Sequence, residues 1–239
     1  MQHKVFKKWL NRPLTVIRCF LKTLLDLIYP PVCHLCHQQL VENEEIICSN
    51  CWQNLPRIPL DTSLKSSQTG KSIFFQQTLS IWKFEESLPD VIHLFKYKGY
   101  TKLALELGRS MAFACHRNQE YQAADLLLPV PLHSARLRER GYNQSLLLCQ
   151  RIGELTGFQV ADNILVRIKN TPTQTRLNAQ QRAQNVDQAF RVVSPDQVKG
   201  KIIILVDDVL TTGATLNACA FKLLKAGAKS VLVLTACHA

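Results

Sequence analysis

Asp207 and Asp208 stand side by side in the string ILVDDVLTTGAT (204–215), at the end of an apolar run and just ahead of Thr211, Thr212, Gly213, Ala214 and Thr215. The two halves do different chemistry. Small hydroxyl residues around one glycine, turning into a helix, offer backbone N–H groups, threonine hydroxyls and a helix N-terminus to a single phosphate. Gly213 lets the backbone approach closely. Two carboxylates repel a phosphate but accept hydrogen bonds from a diol. A ligand that satisfies both halves carries a phosphate a few bonds from a polyol, as a ribose 5-phosphate does, and the acids also favour positive charge developing at its anomeric carbon. No GxxxxGK string is present, so nothing points to a Walker-type ATPase. The bland alternative is two acids that merely close a strand.

A second constellation is Cys33-x2-Cys36-x11-Cys48-x2-Cys51. Each CxxC turn presents two sulfurs on one side, and four thiolates suit tetrahedral Zn²⁺. A segment this short cannot build its own core, so the metal supplies the folding energy and the role is structural. His34 and His37 are substitute ligands to weigh, and a redox pair is the competing reading. The remaining five of the nine cysteines (Cys19, Cys115, Cys149, Cys219, Cys237) are scattered and read as small apolar core residues.

A third is the basic segment PVPLHSARLRERGYNQS (129–145), where His133, Arg136, Arg138 and Arg140 are offset only by Glu139. Arginine suits bidentate phosphate contact. Three arginines this close cannot all point inward, and Arg136 and Arg140 rank ahead of Arg138. Asn143 can cap the helix that follows. Lys96, Lys98 and Gly99 either reach a ligand from the side or form the exposed end of a helix.

The elements that position these groups alternate. Apolar runs at 78–84, 125–130, 158–166, 201–206 and 230–236 read as strands, and the segments near 87–97, 101–116, 143–156 and 214–226 as helices. Strands separated by helices predict an α/β fold with a twisted parallel sheet covered on both faces. The acids then fall at the carboxyl end of a buried strand, where open α/β sheets bind ligands. Four segments follow: 1–28, a basic amphipathic helix; 29–56, the cysteine module; 57–77, a Ser/Thr/Gln-rich linker; and 78–239, the α/β domain. Residues 169–188 form a polar stretch long enough to suggest a lid or binding loop.

With 29 Lys+Arg against 18 Asp+Glu the net charge is +11, which favours anionic partners such as nucleotides, polyphosphates, nucleic acid or acidic lipid. No apolar run is long enough to span a membrane. The odd cysteine count speaks for a reducing compartment and a cytoplasmic protein. Residues 1–28 place Leu10, Leu14, Ile17, Leu21, Leu24 and Ile28 on one helical face, suited to a membrane surface, and so to a peripheral place at the inner membrane, or to packing on protein.

VDDVLTTGAT resembles the phosphoribosyl-diphosphate (PRPP) motif of type I phosphoribosyltransferases. HLFKYKGY (93–100), the 129–145 block, TPTQTRLNAQQRAQNVDQAF (171–190) and the CxxC pair together resemble the ComF family of competence and DNA-utilisation proteins. Where family members often have QTGL, this chain has Gln174-Thr175-Arg176-Leu177. The resemblance implies a type I phosphoribosyltransferase fold with an amino-terminal zinc-ribbon-like module. It makes the arginine segment a diphosphate loop, with Lys98 beside it, and makes Gln174, Thr175, Arg182 and Asn185 part of a flap that excludes water from an oxocarbenium-like state. It implies PRPP with Mg²⁺ as ligand and a role in natural transformation or use of imported DNA. The contrasting expectation is a non-catalytic adaptor of the DNA-uptake machinery that binds a nucleotide or single-stranded DNA. Residues 1–28 are open to contact with a membrane, DNA or a partner such as a DNA translocase. A purine- or pyrimidine-salvage enzyme lacks a segment assignable to base recognition.

Overall fold

The computed structural model describes residues 29–59, 73–169 and 189–239, with the backbone of 64–65. The amphipathic helix expected at 1–28 and the flap residues Gln174, Thr175, Arg182 and Asn185 lie outside the described residues. The chain divides into two compact units, Met1–Asn54 and Leu55–Ala239.

In the first unit the two CxxC turns face each other, and a short helix, α1 (Ser49–Gln53), follows the second. The first turn closes through the Cys33 carbonyl, which accepts from the N–H of His37 at 2.9 Å. His37 takes φ 60° there. Glu44 holds the link between the turns: its two carboxylate oxygens accept from the N–H groups of Val41 and Ser49.

The second unit is built on a six-stranded sheet. Its strands are β1 (Leu64–Lys65), β2 (Gln77–Lys83), β3 (Leu126–Pro129), β4 (Gln159–Val160), β7 (Ile202–Leu210) and β8 (Ser230–His238), in the order β1-β2-β8-β7-β3-β4. Only β1 is antiparallel to its neighbour. A separate antiparallel pair joins β5 (Leu165–Arg167) to β6 (Phe190–Val192). The helices are α2 (Leu88–Tyr97), α3 (Leu103–Arg117), α4 (Gln119–Gln122), α5 (Ser134–Arg140), α6 (Gln144–Thr156) and α7 (Ala214–Lys225).

The central strands are largely apolar, β7 as far as Val206, because both their faces are covered. Leu126, Leu128, Ile203, Leu205, Val231 and Val233 belong to one core with Leu216, Cys219 and Leu223 of α7 and Leu165 and Phe190 of the β5–β6 pair. Strand alternation sends Leu127, Ile204, Val206, Leu232 and Leu234 to the other face, which α3 and α6 cover. Cys115, Cys149, Cys219 and Cys237 are fully buried, as small core residues should be. Tyr121 is buried too, and its hydroxyl donates to the Val233 carbonyl at 2.6 Å.

Three expectations change. The single strand expected over 158–166 is two strands in different sheets, β4 and β5, because the chain bends at 161–164 and leaves the main sheet. The strand expected to stop at 206 runs to Leu210, since β8 continues beside it as far as His238. The described part of 57–77 is not a free linker. Ile58 donates to the Ile81 carbonyl, Leu64–Lys65 pairs with β2, and Phe75 is buried in the core.

Candidate functional site

The parallel strands run outward in both directions from the β3/β7 boundary: after β3 the chain moves to β4, and after β7 to β8. Such a reversal leaves a crevice at the carboxyl ends of the two central strands. The register sets where it opens. β8 accompanies β7 along its whole length, but β3 pairs with it only from Ile203 to Val206. The N–H of Val130 still donates to the Val206 carbonyl. Asp207 and Asp208 are the next two residues, so they lie where β7 has lost its neighbour on one side.

Alternation would send adjacent carboxylates to opposite faces, yet both are held from the first turn of α6. Ser145 Oγ donates to Asp207 Oδ1 at 2.9 Å, and Gln144 Nε2 donates to Asp208 Oδ2 at 3.3 Å. The open side of β7 lets one helix end reach both. Asn143 fixes that end: its Oδ1 caps the N–H of Ser145 and its Nδ2 donates to the Val130 carbonyl. Lys96, in the last turn of α2, completes the cluster with Nζ 2.9 Å from Asp208 Oδ2. Asp208, Gln144 and Ser145 are all buried, and Asp207 is half-buried.

Burial makes the Asp207 carboxylate costly, and the neighbouring charge of Asp208 adds to that cost. The Lys96 charge, the Ser145 hydroxyl and the Asp208 N–H oppose these effects without cancelling them, and the pKa of Asp207 is pushed up to about 7. Arg167 on β5 feels the charges of Asp207 and of the arginine segment, although its side chain donates to the Lys169 carbonyl and packs on the Phe190 ring. Its pKa is lowered by burial and then by the charge of Arg136, while Asp207 works in the other direction.

The phosphate-loop residues follow β7 directly. Thr211, Thr212 and Ala214 are exposed and Thr215 is half-buried. Gly213 has φ 70° and starts α7, whose first-turn N–H groups have no intrahelical carbonyl to bond. The arginine segment is a short helix rather than an open loop. His133 Nδ1 accepts from the Ala135 N–H at its start, and Gly141 with φ 83° ends it. Arg136 and Arg140 are half-buried and Arg138 is exposed. The Arg140 guanidinium lies 5.0 Å from the centre of the Tyr97 ring, and the Tyr142 hydroxyl donates to the Phe95 carbonyl. The end of α2 that carries Lys96 is thus tied to the arginine segment. Lys98 is exposed just past that end.

Sequence reasoning overlooked Gln144, Ser145 and Arg167. The signal for the first two was two polar residues right after a helix cap and ahead of an apolar run. Arg167 carried no signal, because nothing local says that a strand outside the main sheet comes within electrostatic range of Asp207.

In the first unit the sulfurs of Cys33, Cys36, Cys48 and Cys51 all lie within 4.8 Å of one another. The Cys36 and Cys48 sulfurs are 3.7 Å apart. Tetrahedral zinc with ordinary Zn–S bonds requires about 3.8 Å. Cys33 Sγ accepts from the N–H groups of Leu35 and Cys48, and Cys48 Sγ from that of Cys51. Burial acts to raise the pKa of Cys33, but N–H groups of Cys36, Cys48 and Leu35 bring it down to about 6. The donor set and the spacing fit structural zinc.

The family described as Double zinc ribbon domain matches residues 24–62, and that described as Phosphoribosyl transferase domain matches residues 150–239. The DNA utilization protein YhgH of Salmonella typhimurium is 31% identical over 89% of this chain and 99% of its own. Competence protein F of Haemophilus influenzae is 29% identical over 84% of this chain and 94% of its own. Among solved structures, the chain is similar to the glutamine PRPP amidotransferase from B. subtilis, at 18% identity over 60% of this chain and 30% of that one, with a TM-score of 0.42.

Proposed function

The chain belongs to the ComF family of competence and DNA-utilisation proteins, with a type I phosphoribosyltransferase fold and an amino-terminal zinc ribbon, and from that premise we propose that it binds PRPP with Mg²⁺ and acts as a phosphoribosyltransferase in the handling of imported DNA. One observation carries this reading. The carboxylate pair and the glycine-led start of α7 follow β7, and the arginine segment follows β3, so all three come after the carboxyl ends of the two strands at one topological switch point.

In this reading the two hydroxyls of the ribose donate to Asp207 and Asp208. The 5-phosphate takes the N–H groups and hydroxyls of Thr211–Thr215. Arg136 and Arg140 face the diphosphate, with Arg138 and Lys98 on its solvent side, and their charge favours its departure. The acids favour the positive charge that grows at the anomeric carbon. Two carboxylates beside a phosphate site fit Mg²⁺, which is commonly held by one or two carboxylates together with substrate phosphates. When bound, it would neutralise charge on the diphosphate. The flap residues Gln174, Thr175, Arg182 and Asn185 would exclude water from the reacting centre.

Calorimetric titration of PRPP with Mg²⁺ tests this. Binding should require Mg²⁺ and vanish in Asp207→Asn/Asp208→Asn. Failure of the zinc-loaded wild-type protein to bind would sink the reading.

A second reading, the single-stranded-DNA adaptor, draws on a separate observation. A cleft of about 550 Å³ between α7 and the β5–β6 pair is lined by Lys169, Arg191, Lys222 and Lys225, with Ile168, Phe190 and Val192 between them. Four cations around one groove suit the phosphates of a nucleic-acid strand. Strand affinity through this cleft should fall steeply with salt. Among the described residues no helix is long and apolar enough to cross a membrane. Contact of residues 1–28 with a membrane surface or a DNA translocase remains part of the proposal.

A further inference from the structure

Gln144 is buried, with only 3% of its surface exposed, at the first position of α6. Its orientation is fixed by its neighbour: Nε2 faces Asp208 Oδ2, since the amide oxygen would be repelled there. The other end of the amide, Oε1, is a buried acceptor with no hydrogen-bond partner among the described residues. A buried acceptor left unpaired costs stability, and such an atom one amide away from a candidate ligand carboxylate calls for a donor. Lys96 Nζ already shares Asp208 Oδ2 with Gln144, so the amide lies against the carboxylate that a ligand hydroxyl would approach. Ser145, the next residue, donates to Asp207 and so occupies the equivalent place for the other acid.

We propose that Gln144 is a specificity-determining residue of the sugar pocket: Nε2 orients Asp208, and Oε1 shares with Asp207 the hydrogen bond donated by the ligand hydroxyl next to the one that donates to Asp208. The ligand class is a ribose phosphate with an intact diol. A deoxyribose phosphate leaves one buried acceptor unpaired, and sites built to bond a hydroxyl reject analogues that lack it far more strongly than apolar pockets reject a missing methylene. This chain would therefore keep its pocket for ribose phosphates and exclude the sugar of DNA itself. The inference rests on the ribose-phosphate reading above.

The experiment compares the zinc-loaded wild-type chain with Gln144→Met, which keeps length and helix propensity but removes both amide atoms. Calorimetry is run with ribose 5-phosphate, 2-deoxyribose 5-phosphate and 3-deoxyribose 5-phosphate. The wild type should prefer the full diol over each deoxy sugar. Gln144→Met should weaken ribose 5-phosphate by about tenfold or more and leave one of the deoxy sugars nearly unchanged, so that discrimination against that sugar collapses. Equal weakening of all three ligands would mean general damage and overturn the inference, as would unchanged ratios. A wild type that binds none of the three overturns the ribose-phosphate reading along with it. A wild type that discriminates as strongly as its variant overturns the role of Gln144 alone.

Discussion

Lys96 Nζ lies 2.9 Å from Asp208 Oδ2, which ties the last turn of the helix after β2 to the open end of the central strand β7. Asp208 is buried, while the lysine side chain is 21% exposed. Breaking a buried pair from one side strands a charge, at a cost that solvent at the lysine end reduces. Lys96→Met should lower stability by about 1–3 kcal/mol in urea unfolding. Adding Asp208→Asn should return most of that loss, because the stranded carboxylate is then gone. An additive double mutant would show that the two groups do not interact.

Asp207 predicts a pH dependence of definite sign. Its pKa is about 7 in the folded chain and close to the ordinary carboxylate value when unfolded. Between these values the folded state holds a proton that the unfolded state has released. Stability contributed by this group is therefore full below about pH 4, falls as pH rises towards 7, and is lost above it. In Asp207→Asn the fall disappears. The variant should gain roughly 2–4 kcal/mol over wild type between pH 5 and pH 8 in paired denaturation curves. Parallel curves for the two proteins would contradict this assignment.

The zinc ribbon predicts one zinc ion per chain. The four sulfurs come from two turns, and neither turn alone can complete the tetrahedron. Cys36→Ser or Cys48→Ser should reduce bound zinc to near zero by elemental analysis. Chelation of the wild type should release the metal and erase amide protection in residues 29–54, because metal binding supplies the folding energy of so short a segment. Protection that survives chelation would show a unit that folds without its ion.

Local features of the sequence carried the fold a long way. The apolar runs at 201–206 and 230–236 can only be buried strands, and Gly213 and Gly141 stand where the structure needs positive φ. The Cys-x2-Cys pairs likewise announce their geometry. Relationships that depend on register were out of reach. Nothing in ILVDDVL tells that β3 stops at Pro129 while β8 continues to His238, and it is that step which exposes Asp207 and Asp208 to α6. Lys96 and Lys98 are equivalent in sequence, but the turn of α2 decides that Lys96 meets Asp208. Arg167 comes within electrostatic range of Asp207 and Arg136 from a strand pair whose existence depends on the chain leaving the main sheet at 161–164.

Gly213 offers a test of the phosphate loop that leaves the acids untouched. With φ 70° it occupies the left-handed region, and a Cβ there would meet only ordinary contacts, Leu210 Cδ1 at 3.5 Å and the Phe75 ring at 3.8 Å. The penalty of Gly213→Ala is thus backbone strain and not a clash, about 1 kcal/mol in stability. Relief of that strain would tilt the first N–H groups of α7 away from the phosphate. Affinity for ribose 5-phosphate should drop by more than stability does, while the pH dependence set by Asp207 should stay as in wild type. Isothermal titration beside denaturation at two pH values separates these effects. If Gly213→Ala binds ribose 5-phosphate as tightly as wild type, the start of α7 is not the phosphate site.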